Sequence, residues 1–163
     1  MSIDILGYII MFIVFVLCLK IYTDSDTFNL KCIISDVDGK KYCVRERLKL
    51  ELAADILATA TQRMIKLVEY MEKNHGDDDR VKRLVSNFNP DNIRETLPTS
   101  KLTAYSENKG EKLAFCLNKK KDGKELIDIE TLTFVAIHEL GHVMSVEVGH
   151  GDEFWTNFKY LLE

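Results

Sequence analysis

The sequence predicts an α+β fold, in which one apolar helix precedes a domain with a small antiparallel sheet packed on helices. Three observations lead to this prediction. A long apolar run opens the chain, two pairs of β-rich segments flank turn sequences, and several segments carry apolar residues at helical spacing. The chain has 163 residues, enough for one globular domain rather than two. Its net charge of −4 offers no basic surface for phosphates, so no nucleic acid partner is expected.

The N-terminal run is long enough to cross a membrane. Residues 5–22 contain one charged side chain, Lys20, and 18 residues are about the minimum for a helix that spans a hydrocarbon core. A signal peptide would carry a basic n-region and a small-residue cleavage site, whereas this leader carries Asp4 and neither feature. A buried core helix is the alternative. We interpret residues 1–22 as a single-pass transmembrane anchor and 23–163 as the domain that it tethers.

The distribution of basic residues predicts the orientation of the anchor. No Lys or Arg precedes the apolar run, and six lie in its last turn or closely after it: Lys20, Lys31, Lys40, Lys41, Arg45 and Arg47. The positive-inside tendency therefore puts the C-terminal domain on the cytoplasmic side of the bilayer.

The elements of the domain follow from turn chemistry and periodicity. In chain order the sequence predicts a polar linker at 23–27, a hairpin at 28–45, an amphipathic helix at 45–74, a short helix at 79–88, a polar connection at 89–100, and a second hairpin at 102–117. The turns fall at Asp38-Gly39 and near Gly110. The long helix most simply covers the core, and a role in binding a partner protein stays open.

The cysteines do not form a recognisable pattern. Cys18, Cys32, Cys43 and Cys116 are scattered without a C-x-x-C pair, which disfavours a zinc knuckle. Cys32 and Cys43 flank the first hairpin and could lie near one another. We interpret them as small buried apolar residues.

The segment HELGH, residues 138–142, carries the chemistry. Asp128 is placed to cap a helix that begins near Ile129 and contains this segment. His138 and His142 are four residues apart and so share one face of the helix, where two imidazoles can bind one zinc ion. Glu139 would stand beside the metal as the general base that takes a proton from the attacking water.

Catalytic zinc usually takes three protein ligands, so a third must lie near the helical pair. Gly149 is suited to end the helix in a left-handed conformation and to turn the chain back. His150 follows directly and is our prediction for the third ligand, with Glu153 as the alternative. Asp152 would cap a last helix, DEFWTNFKYLL, whose aromatic and leucine side chains pack on the domain.

These residues resemble a known family. HELGH followed by GHGDEFW is similar to the WLM and SprT groups of small zinc metallopeptidases, over about residues 131–162. The resemblance implies a minimal zincin, in which the edge strand of a small sheet holds an extended substrate above the HExxH helix. The segment EKLAFCL, 111–117, would then be the edge strand. The whole chain is also similar to uncharacterised, N-terminally anchored proteins of large DNA viruses and algae with a comparable ending.

The resemblance implies a membrane-anchored zinc metalloendopeptidase that acts on a protein or peptide substrate. It also suggests a virion membrane and virion components as its context. The alternative is a structural membrane or virion protein whose zinc site is vestigial or architectural, in which case a fourth protein ligand would close the site. Tyr105 and Tyr160 are the candidates for a group that stabilises the oxyanion.

Overall fold

The N-terminal apolar run forms one long helix. The computed structural model describes residues 3–23, 30–120 and 125–163, so most of the predicted linker at 23–27 lies outside the described residues. Helix α1 is Ile3–Thr23, and its window Ile5–Tyr22 is long and apolar enough, by length and composition, to cross a membrane. None of this window is buried against the domain. The alternative of a core helix is therefore wrong.

The domain holds a five-stranded sheet in the order β1-β2-β3-β5-β4. The strands are β1 Leu30–Ile34, β2 Lys41–Arg45, β3 Ile93–Glu95, β4 Ala104–Glu107 and β5 Lys112–Phe115. The first two strands and the last two form the antiparallel hairpins that the turn sequences predict. Left-handed backbone occurs at both turns, where Gly39 has φ 69° and Asn108, Lys109 and Gly110 have φ between 47° and 116°.

Within residues 30–120 and 125–163, the structure has four further α-helices. They are α2 Leu50–His75, α3 Asp79–Asn87, α4 Ile129–Met144 and α5 Asp152–Leu162. Their apolar faces and the inner face of the sheet form one core, with the fully buried Leu57, Met64, Leu113 and Leu140 among its members. Helix α4 lies against α2, α3 and α5 as well as β4, so the HELGH segment sits on the central helix of the domain.

The sheet is neither antiparallel throughout nor edged by the segment 111–117, because a strand that was not predicted lies in its middle. The segment 89–100 was predicted to be a polar connection, but it contains β3, which pairs parallel to both β2 and β5. The sheet is therefore mixed rather than antiparallel. Because β3 occupies one side of β5, the segment 111–117 is internal, and β4 is the free edge at this end of the sheet.

The long helix begins five residues later than predicted. The chain stays extended to Arg45 because Glu95, 1% exposed, accepts a hydrogen bond from the backbone N–H of Arg45 and forms ion pairs with the side chains of Arg45 and Arg47. These charge-assisted contacts offset the cost of burying the carboxylate. The helix starts at Leu50, just past this cluster.

The cysteines of the first hairpin are bonded to each other. Cys32 and Cys43 stand directly opposite in the β1–β2 register and form a disulfide. The interpretation of both as small buried apolar residues is therefore wrong, and the alternative that they lie near one another is confirmed, because cross-strand register brings their side chains together. Among the described residues, Cys18 and Cys116 are free.

Candidate metal centre

Helix α4 sets the spacing of the first two histidines. Asp128 is its N-cap, as predicted, and its side chain accepts a hydrogen bond from the backbone N–H of Thr131 at 2.8 Å. One turn of regular helix separates His138 from His142, so both rings leave the same face and their centroids lie 5.0 Å apart. Both side chains are partly buried.

His150 completes a cluster of three imidazoles. Its Nε2 lies 2.9 Å from His138 Nε2 and 3.2 Å from His142 Nε2. Three nitrogens bound to one tetrahedral zinc at its usual bond length would be about 3.3 Å apart. The structure thus brings together the three residues that the sequence singled out, with one ligand nitrogen of each within 4.8 Å of the others.

Burial keeps the helical histidines in the form that binds metal. Desolvation, followed by the charges of His138, His150 and Lys109, lowers the pKa of His142 to about 4. Desolvation also lowers the pKa of His138. Neutral imidazoles with converging nitrogens are the donors that zinc prefers, so the residues present fit the ion.

Glu139 stands on the same helix as the two histidines but is far more buried, at 5% exposed. Desolvation raises its pKa to about 7. A carboxyl group whose pKa lies near neutrality can both accept and return a proton, which is the property that a general base needs.

Phe154 of α5 is the common floor of the histidine cluster. Its ring centroid lies 4.2 Å from that of His142, 4.6 Å from His150 and 4.7 Å from His138, and the residue is 1% exposed. Gly141 makes this approach possible, because a Cβ there would meet Phe154 Cε2 at 3.1 Å. Sequence reasoning assigned Phe154 only to packing, and its closeness to an H-E-x-x-H helix was the available signal.

The segment between α4 and α5 differs from the prediction in two places. Helix α4 ends at Met144 and not near Gly149, because its C-cap Ser145 has an extended backbone (φ −88°, ψ 144°) and the next N–H groups, of Val146 and Glu147, donate to Glu153 rather than to helix carbonyls. Gly149 does adopt a left-handed φ of 97°, but within the following loop. The N-cap of α5 is Gly151, so Asp152 is the first residue of the helix rather than its cap.

The last helix packs with only part of its predicted apolar set. Phe154, Phe158 and Leu161 are buried, whereas Trp155 and Leu162 are about half exposed. Glu153, the alternative third ligand, lies outside the histidine cluster. Its carboxylate accepts hydrogen bonds from the backbone N–H groups of Val146 and Glu147, which lower its pKa.

The histidines open onto a cleft of about 480 Å³. Its walls are α4, the strand β4 with its turn, and the loop before α5; Ala104, Tyr105, Ser106, Lys109 and Val148 are among the lining residues. Tyr105 therefore faces the site region, whereas Tyr160 packs against Arg80 and His75 and does not line the cleft. Among the described residues no fourth metal-binding side chain joins the three histidines.

The fold of this domain is similar to that of a solved structure. The chain superimposes on the crystal structure of Wss1 from Saccharomyces cerevisiae with a TM-score of 0.52 and 19% identity, over 73% of this chain and 81% of that one. A mutant of Wss1 gives a TM-score of 0.50 at 18% identity. At this identity the likeness establishes the fold alone. The domain therefore has a WLM-like α+β fold, in agreement with the WLM part of the resemblance carried by its sequence.

Sequence comparison gives the family. The chain is 31% identical over 133 residues to "Uncharacterized protein R325" of Acanthamoeba polyphaga mimivirus, covering 79% of this chain and 67% of that protein, and it belongs to the same family. It is also 36% identical over 61 residues to "Uncharacterized protein 136R" of Invertebrate iridescent virus 6, of which it spans 34%. No model of a known protein family matches the chain.

Proposed function

We propose that the chain is a membrane-anchored zinc metalloendopeptidase. The observation that carries the proposal is the convergence of three histidine nitrogens beside the buried carboxyl group of Glu139, at the wall of an open cleft. The WLM-like fold supports it. His138, His142 and His150 would hold the ion, which leaves a position for water and substrate.

The protein groups have separate tasks in this proposal. When bound, zinc would polarise the peptide carbonyl and increase the acidity of the attacking water. Glu139 accepts the proton of that water on a carboxylate oxygen and then delivers it to the leaving amine. Its raised pKa suits both transfers, because neither protonation state is strongly preferred near neutral pH.

Strand β4 is the element suited to hold an extended substrate. Cys116 donates a backbone hydrogen bond to Thr103 at 2.7 Å, so the alternation of an antiparallel ladder turns the N–H groups of Ala104 and Ser106 away from β5. Both residues line the cleft. A peptide that adds a strand at this edge would pass the histidines, and its main chain would supply most of the affinity.

The rival function is a structural protein with an architectural or vestigial zinc site. A structural site normally has four protein ligands, and within the described residues the cluster has three. The cluster also borders a cleft rather than the interior of the core. Both observations favour catalysis.

Anchoring and context complete the proposal. The exposed apolar helix α1 supports a single-pass anchor, and the excess of Lys and Arg after it supports a cytoplasmic domain. The viral relatives support a viral membrane or virion as the setting, with membrane or virion proteins as substrates or partners. We propose no nucleic acid partner for this acidic chain.

The test is proteolysis by the zinc-loaded full chain in detergent micelles, with fluorescently labelled casein as a general substrate. Glu139→Gln removes the general base and should lower the cleavage rate by about 10²–10⁴-fold without loss of bound zinc. Glu130→Gln, an exposed glutamate on the first turn of the same helix, is the control and should cleave normally. Equal rates for Glu139→Gln and the parent chain would exclude the mechanism.

A further inference from the structure

The loop that carries the third histidine has little packing of its own. We call residues 145–151, between the end of α4 and the start of α5, the ligand loop. The side chains from 146 to 150 are all exposed, and Val148 is 91% exposed. A segment with so few buried apolar contacts must be ordered by other interactions if His150 is to hold a fixed position.

A carboxylate from α5 binds the backbone of the ligand loop. Glu153 accepts hydrogen bonds from Val146 N at 2.9 and 3.1 Å, through its two oxygens, and from Glu147 N at 2.9 Å. Charge-assisted bonds of this kind are stronger than those between neutral groups. One side chain therefore fixes two consecutive residues of the loop.

A cation from the β4–β5 turn also binds the backbone of this loop. Lys109 donates from Nζ to the carbonyl oxygens of Ser145 at 3.1 Å and Glu147 at 2.6 Å. Lys109 lies in the β4–β5 turn with a left-handed φ of 58°, and it also lines the cleft. The turn of the free edge strand thus contacts the loop that carries His150.

Two neighbouring contacts hold the start of the loop. Arg83 of α3 donates to the carbonyl of Met144 at 2.6 Å and lies 3.9 Å from Glu153 Oε1. The buried Asn157 donates to the hydroxyl of Ser145 at 2.9 Å. These contacts fix the junction with α4, whereas Glu153 and Lys109 act on the exposed part of the loop.

We infer that Glu153 and Lys109 are positioning residues for His150: together they clamp the backbone of the ligand loop so that the third imidazole meets the other two. The inference rests on the proposed metal site but not on peptide hydrolysis. Without the clamp, His150 would sample many positions and the site would behave as a two-histidine site for much of the time. Loss of groups that orient metal ligands typically lowers affinity by about 10- to 100-fold.

Zinc affinity of the full chain in detergent micelles tests the inference. The chain is stripped of metal, and zinc is titrated against a chromophoric chelator. Glu153→Gln and Lys109→Met should each bind zinc about tenfold or more weakly. The visible absorption of bound Co²⁺ should shift toward that of His150→Ala, a spectroscopic change that a general loss of stability would not produce.

Matched controls separate the clamp from simple charge removal. Asp152→Asn removes the carboxylate next to Glu153, and Lys101→Met removes an exposed lysine just before β4; both should bind zinc normally. Thermal unfolding of the metal-free variants shows which of them fold. If His150→Ala binds zinc weakly but Glu153→Gln and Lys109→Met bind it as tightly as the parent, the inference is overturned and the metal site stands. The same holds if the two control variants lose as much zinc affinity as Glu153→Gln and Lys109→Met. Parent-like binding by His150→Ala would instead refute the metal site and the inference together.

Discussion

At the scale of single residues, burial in one helix shifts the pKa values of two adjacent ionisable groups in opposite directions. His138 and Glu139 are adjacent in the chain, yet only Glu139 is fully buried. Desolvation acts on both, and its sign depends on the charged form: it lowers the pKa of the imidazole and raises that of the carboxyl group. Both shifts favour the neutral form of the group concerned.

The buried carboxyl group predicts a pH-dependent stability for the metal-free chain. Because the folded pKa of Glu139 is about 7 and its ordinary value is 4.5, the folded state binds more protons than the unfolded state between these values. The contribution of Glu139 is therefore fully present below pH 4.5 and is lost as the pH rises through 7. Glu139→Gln should remove this loss, which is about 3 kcal/mol for a pKa shift from 4.5 to about 7.

The measurement is chemical unfolding of the metal-free parent and Glu139→Gln at pH 5 and pH 8. The variant should gain stability relative to the parent at pH 8. Other titrating groups, including His142, are common to both proteins and cancel in the comparison. A difference that is the same at both pH values would contradict the assignment.

At the scale of elements, local patterns predicted more than long-range ones. The pair His138 and His142 and the turn at Asp38-Gly39 depend on neighbours in the chain, and both lie where the sequence indicated. Strand β3 was missed because it has three residues, lies in a polar segment, and gains its order from parallel pairing with two distant strands. Because β3 was missed, the wrong strand, β5 instead of β4, was predicted to be the edge of the sheet.

The free edge of β4 gives a prediction about substrate binding. Ser106→Pro removes an N–H group that faces away from β5, so it should weaken the docking of an extended peptide without breaking the ladder. We expect a higher KM for peptide cleavage and an unchanged zinc content. Ser106→Ala is the control, since it loses the same hydroxyl and keeps the N–H. Equal kinetics for the two variants would argue against strand addition at β4.

At the scale of the whole molecule, the disulfide and the proposed orientation require different redox environments for the domain. The Lys and Arg excess after α1 supports a cytoplasmic domain, where thiols are kept reduced. The bond between Cys32 and Cys43 needs an oxidising environment. The two cysteines face each other across the hairpin in either redox state, so their reactivity in the cell reports the side of the membrane.

With the proposed orientation, Cys32 and Cys43 should be thiols in the cell and pair only after exposure to oxidant. Rapid alkylation in cells expressing the full chain, followed by mass spectrometry, measures their state; Cys116 serves as the buried free thiol that is labelled only after unfolding. Protease treatment of intact and opened membrane vesicles reports the side independently. Two results together would place the domain on the opposite side of the membrane. Cys32 and Cys43 would resist alkylation because they form a disulfide, and the domain would resist protease in sealed vesicles whose cytoplasmic face is outward.

The zinc content of the purified full chain tests the central claim most directly. After purification in detergent without chelators, the parent chain should hold about one zinc ion. Glu139→Gln should hold as much, and His150→Ala should hold far less under the same conditions. Less than about half a zinc ion per parent chain, or an undiminished content in His150→Ala, would contradict a zinc centre built from His138, His142 and His150.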